Sequence, residues 1–147
     1  MISVQSAPFD LGDISNRFTA AQSGAEAGAI VTFSGVVRGD GGLIALEIEH
    51  YPAMTLPAIE DMVSAARARF GLLDAWVIHR FGRLAVGETI MMVATSAPHR
   101  KDAFAGAEFL MDYLKSRAPF WKKEHLAKGA AWVAAKVSDE AELARWD

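Results

Sequence analysis

Apolar and polar positions along the chain change their period several times, and each change marks an element. Leu46, Ile48 and His50 alternate with Glu47 and Glu49, the period of two expected of a half-buried strand from Leu43 to Tyr51. Before it, Ala29-Ile-Val-Thr-Phe-Ser-Gly-Val-Val-Arg38 is rich in β-branched residues and stops at Gly39-Asp-Gly-Gly42. That turn suits a hairpin, so the two segments are expected to pair with each other. From Pro52 the period becomes helical. Ile59, Met62, Val63 and Ala66 share one face, Glu60, Asp61, Arg67 and Arg69 reach water, and Gly71 ends the helix after about Phe70. A second long helix is expected from Pro98 and His99 to about Arg117, where Pro119 forces a stop.

The remaining elements are shorter. Met1 to Gln5 reads as an edge strand and Asp10 to Ala21 as a helix with Asp10 as its N-cap. Ala75 to Arg80 reads as a strand, Gly82 to Gly87 as a turn region, and Glu88 to Ser96 as an apolar central strand. Phe120 to Leu126 looks extended, Ala131 to Val137 forms a further strand, and Asp139 to Trp146 a terminal helix. Helices inserted between hairpin-like strands give an α+β fold, a single domain over residues 1–147 with one layer of mixed or antiparallel sheet and helices packed on it.

Composition narrows the function. With 147 residues, 52% of them hydrophobic and 22% charged, the chain can bury a real core and is not of the disordered class. No apolar run approaches the roughly 18 residues that would span a bilayer. The start of the chain has neither a basic leader nor a signal-peptide core, so a cytoplasmic location is expected. There is no cysteine, which excludes disulfides, thiolate metal sites and a cysteine nucleophile. The net charge of −3 argues against general nucleic-acid binding. Yet seven Lys and Arg against four Asp and Glu between His99 and Lys128 make that segment +3 and the rest −6. A local anionic ligand, or a solvated helix face, would account for it.

Within this basic segment, Lys115 falls in the last turn before Pro119. It either opposes the helix macrodipole or, four residues after Met111, stands at the edge of the packed face. There desolvation would make it a usable nucleophile or proton acceptor. Lys122 follows the proline break beside Phe120 and Trp121, so the two lysines flank a rigid corner that suits an anion pocket. His99 and Arg100 stand where a strand yields to a helix N-terminus, whose free N–H groups welcome phosphate. Arg100 would grip it in bidentate fashion and His99 would donate or move a proton, although a structural histidine fits the local pattern equally well. Arg38 ends its strand before the glycine-rich turn, either as a ligand contact or as a plain exposed charge. That turn lacks the lysine and Ser/Thr of a P-loop. His50, His79 and His125 have no metal-ligand spacing, so no metal is expected, nor any cofactor.

Five blocks occur in a telling order: Phe33-Ser-Gly-Val-Val-Arg38, Leu46-Glu-Ile-Glu-His-Tyr-Pro-Ala-Met54, Val77-Ile-His-Arg-Phe-Gly82, Ala97-Pro-His-Arg100, and Phe109-Leu-Met-Asp-Tyr-Leu-Lys-Ser-Arg-Ala-Pro-Phe-Trp-Lys-Lys-Glu124. Together they resemble the successive signature blocks of the molybdopterin synthase large-subunit family. The resemblance implies a hammerhead-like α/β arrangement and a sulfurtransferase of molybdenum cofactor biosynthesis. Its substrate would be cyclic pyranopterin monophosphate. Its sulfur would come from a small ubiquitin-like carrier subunit whose C-terminal Gly-Gly ends in a thiocarboxylate, so a sulfur-transfer enzyme needs no cysteine of its own. The assembly implied is a homodimer within a heterotetramer. By the same resemblance Lys115 and Lys122 are catalytic, while Val36, Val37, Arg38, His99, Arg100, Lys123 and Glu124 contact substrate. Lys136 stands where relatives often carry an arginine, which changes any phosphate contact there. A module that only docks a ubiquitin-like tail or a phosphate is the rival reading, and retention of all five basic and histidine positions favours the enzyme.

One geometric consequence follows. If Arg100 to Lys115 is a single helix, about 22 Å of axis separates them, too far for one pterin to touch both from one chain. A site shared across a twofold axis resolves this; the alternative is a break at Gly106.

Overall fold

The structure is a computed structural model and describes residues 1–133 and 137–147. The elements follow the order β1 (Ile2–Gln5), α1 (Leu11–Ala21), β2 (Ala29–Val36), a 3-10 turn (Asp40–Gly42), β3 (Leu43–His50) and α2 (Pro52–Phe70). Then come β4 (Asp74–Arg80), β5 (Gly82–Ala85), β6 (Thr89–Ala97), α3 (Arg100–Ser116), β7 (Phe120–Leu126), β8 (Gly129–Trp132) and α4 (Val137–Ala144). The α+β class and the single domain match the sequence expectation in kind. The layering differs, because the strands divide into two sheets rather than one.

The first sheet has the order β1-β4-β6-β2, with β1 parallel to β4 and the other pairs antiparallel. It is covered on both faces. Ile59, Met62, Val63 and Ala66 of α2 and Ala103, Ala107, Leu110 and Leu114 of α3 pack against Val77 and Val93 on one side. Ile14 and Phe18 of α1 pack against Ile78, Met92 and Ala94 on the other. The second sheet, β5-β3-β7-β8, is antiparallel throughout and has its own small core of Val37, Leu46, Ile48 and Leu84.

The structure corrects three expectations. β2 and β3 do not form a hairpin: β2 pairs with β6, and β3 pairs with β5 and β7. The cause lies at Gly35/Val36, where an irregularity in the β2–β6 register turns the strand. Val37 then buries itself in the core of the other sheet, bonded to the backbone of Gly87 and Glu88. The glycine-rich turn therefore carries the chain between sheets. Gly82 to Gly87 is likewise not only a turn. Gly82 takes a left-handed φ of 92° that lets the chain leave the first sheet, and Gly82–Ala85 enters the second. The expected strand at Ala131 to Val137 is shifted, since β8 ends at Trp132 and α4 starts at Val137; residues 134–136, including Lys136, lie outside the described residues.

The helix ends follow the sequence signals. The Asp10 carboxylate accepts the Asp13 N–H at 2.8 Å, Pro52 opens α2, and Gly71 closes it at φ 63°. Among the described residues, no helix is long and apolar enough to cross a membrane.

Candidate active site

The two sheets and the C-terminal end of α3 enclose a cleft of about 480 Å³. Its floor is the end of β2, Phe33 to Val36, together with Ile90 and Met91 of β6. Met111, Leu114 and Lys115 come from α3, His79 from β4, and Phe120 and Lys122 from β7. A second lobe of about 440 Å³ shares Val36, Arg38, Lys115, Phe120 and Lys122 and extends past Val37, Trp121 and Glu124. Lys115, Lys122 and Arg38 therefore converge on one space although 84 residues of sequence separate Arg38 from Lys122.

Helical and strand periods produce this convergence. Ala103, Gly106, Ala107, Leu110 and Leu114 form the buried stripe of α3, so Met111 lies at its margin and Lys115, four residues on, rises from the same margin into the cleft. The end of α3 is held firmly. Arg117 pairs with Glu140 at 2.6 Å, and the Ser116 hydroxyl donates to the Asp139 carbonyl at 3.1 Å. One turn back, the Asp112 carboxylate accepts from the Arg145 guanidinium at 2.7 Å and the Trp146 indole at 2.6 Å. On β7, Phe120 and Lys122 are two apart and share a face, whereas Lys123 points the other way, 5.1 Å from the Trp132 ring centre. Arg38 is held toward the turn by Asp40 at 2.6 Å and stays exposed.

Cationic groups thus meet an apolar floor, an arrangement that takes a flat ring carrying an anion and stabilises negative charge developing near it. Among the described residues no group of three or more His, Cys, Asp and Glu side chains is placed to hold a metal. His99 and Arg100 do not reach this cleft. They stand exposed at the opposite end of α3, which is one unbroken helix from Arg100 to Ser116. Gly106 does not break it; a Cβ there would press on Leu72, so this glycine permits close packing. Lys136 lies outside the described residues.

Sequence reasoning assigned no role to His79, which is 5% exposed. Its ring stacks on Phe120 at 3.8 Å and 16°, and its Nδ1 lies 2.8 Å from the Arg80 carbonyl. Burial first, then the charges of Lys122 and His50, lower its pKa from 6.5 to about 4, against the raising effect of that carbonyl. The available signal was a histidine inside an otherwise apolar strand core, Val77-Ile78-His79.

Comparison with known proteins places the chain. Residues 4–117 match the model of the MoaE protein family. The molybdopterin synthase catalytic subunit of Cereibacter sphaeroides is 62% identical over 97% of both chains. The solved molybdopterin biosynthesis MoaE protein of Burkholderia ambifaria is 45% identical, covers 99% of this chain and 97% of its own, and superposes with a TM-score of 0.84. The molybdopterin synthase structure from Staphylococcus aureus, 26% identical over 90% of this chain and 96% of its own, gives 0.80. With the family model matching residues 4–117 and these relatives alike over nearly the whole chain, the chain belongs to the MoaE protein family.

Proposed function

We propose that this protein is the catalytic subunit of molybdopterin synthase. It transfers sulfur from the C-terminal thiocarboxylate of a small ubiquitin-like carrier to cyclic pyranopterin monophosphate, forming the dithiolene of molybdopterin. The observation that carries the reading is the cleft itself, where Lys115, Lys122 and Arg38 face one apolar-floored space in a chain without cysteine. The sulfur must then be delivered by another molecule, and the Trp121 lobe gives an extended Gly-Gly tail a way in.

In this mechanism the phosphate is held by Arg38, and Lys115 stands at the reacting carbons and the acyl carbon of the tail. It acts there as the proton-transfer group or transient nucleophile. Lys122 stabilises the negative charge that develops as water hydrolyses the acyl bond left after each sulfur is transferred, releasing the tail as a carboxylate. Val36, Val37 and Glu124 line the walls. Two carrier molecules act in turn, one per sulfur. His99 and Arg100 complete the site from a second copy of the chain across a twofold axis. Supporting this, β2 is a terminal strand of its sheet and leaves Ile30, Phe33 and Val36 exposed beside the cleft. The assembly is thus a homodimer carrying two carriers, and we place it in the cytoplasm.

The test is incubation with a thiocarboxylated Gly-Gly carrier and the cyclic precursor. Dithiolene product is the expected result. Carrier binding with the precursor left unchanged would identify a docking module instead of an enzyme.

A further inference from the structure

The only imidazole lining the first lobe of the cleft, among the described residues, is built in a way the sulfur-transfer scheme does not use. Because His79 Nδ1 faces a carbonyl oxygen at 2.8 Å, that nitrogen must carry the ring proton and donate it. Nε2 is then a lone-pair acceptor. The Phe120 ring covers one face of the imidazole, and the Nδ1 edge is turned back to the backbone. The opposite edge therefore meets the cleft that His79 lines. No buried side-chain nitrogen or oxygen among the described residues is without a partner, and none of the described groups donates to Nε2, so this atom keeps contact with the cleft space.

We propose that His79 is a substrate-binding residue whose Nε2 accepts a hydrogen bond from a ring N–H of the pterin. The inference rests on the pterin reading of the cleft and adds the group that reads the heterocycle rather than its phosphate. Lys115, Lys122 and Arg38 all donate and suit anionic groups, so an N–H donor on the ligand finds no counterpart among them. His79 supplies it, beside the apolar surfaces of Phe33, Met91 and Met111 that a flat ring requires. The acceptor must also survive next to cations. Burial holds the ring unprotonated down to about pH 4, so Nε2 remains an acceptor throughout the working range.

A purely structural histidine and a ligand-reading one are separated by two substitutions. His79→Asn places an amide N–H near the position of Nδ1 and keeps the bond to the Arg80 carbonyl, but has nothing at the position of Nε2. His79→Gln places an oxygen near Nε2 and gives up the bond to Arg80. The expected result is that Asn raises the precursor KM about tenfold, with kcat within about threefold and unchanged affinity for the carrier, while Gln holds KM within about threefold of wild type. The Asn effect should be the same from pH 5.5 to 8.5. A KM unchanged in the Asn variant, a Gln variant raised as much as Asn, or a loss of carrier affinity in place of precursor binding would each overturn the proposal; the last would assign Nε2 to the tail amides. Wild-type protein that makes no dithiolene would sink the functional reading alone, and direct titration of the precursor onto wild-type and Asn proteins would then decide His79 by the same ratio.

Discussion

At its C-terminal end α3 delivers Lys115 into a cleft walled by two sheets, with Phe120 and Lys122 opposite and α4 clamped behind. Fifteen residues earlier, the same helix begins with His99 and Arg100 in the open, followed by Phe104, a phenylalanine 61% exposed. Both ends carry exposed basic groups, yet only the Lys115 end lines the cleft. Because α3 is unbroken, about 22 Å of axis keeps the two ends apart in any one chain. A rigid helix with basic groups at both tips and an exposed apolar strand alongside is what the proposed shared site requires.

The comparison is broken most severely at the cleft end. Lys115→Ala should lower turnover by about 10²- to 10⁴-fold while costing less than about 1 kcal/mol of stability through the lost helix-end charge. Lys115→Arg should fail as well, since a guanidinium does not give up its proton. Initial rates with melting curves check both, and near-normal turnover in either variant removes Lys115 from the chemistry.

The open end is probed without touching a charged group. A Cβ on Gly28 would overlap the backbone carbonyl of Pro98, immediately before His99. Gly28→Ala should therefore cost about 1–3 kcal/mol in urea unfolding and displace the His99–Arg100 corner, with a matching fall in turnover. Gly24→Ala, with nothing within 4 Å of its Cβ, is the neutral control.

A third perturbation sharpens the difference through pH. His79 has a pKa near 4 when folded and 6.5 when unfolded, so below pH 6.5 the unfolded chain binds the proton first. Its contribution to stability is complete above pH 6.5 and is lost as pH falls toward 4. Between pH 7 and pH 5 wild type should lose about 2 kcal/mol more than His79→Gln in urea denaturation. Parallel losses in the two proteins would mean that His79 is not held uncharged.

Much of this was legible along the chain. Periodicity located the long helices, Asp10 marked the start of α1 and Gly71 the end of α2, and the basic segment pointed to Lys115 and Lys122. Sheet membership was not legible. The Gly39 to Gly42 turn has the composition of a hairpin turn, but β2 pairs with β6 and Val37 is buried beside Leu46 and Leu84 of the other sheet. Gly82 has the same ambiguity, since its left-handed φ serves a crossing between sheets as well as a simple turn. His79 escaped notice because a lone histidine in an apolar run has no local partner; its meaning comes from Phe120, 41 residues away.

The shared site is tested most directly by subunit mixing. Lys115→Ala and Arg100→Ala proteins, each inactive or nearly so alone, are combined under conditions where exchange is verified by mass-tagged protomers. A heterodimer then holds one site with Lys115 and Arg100 both intact and one site lacking both. Random exchange should restore about a quarter of wild-type activity. Verified heterodimers with no recovered activity would contradict the shared site.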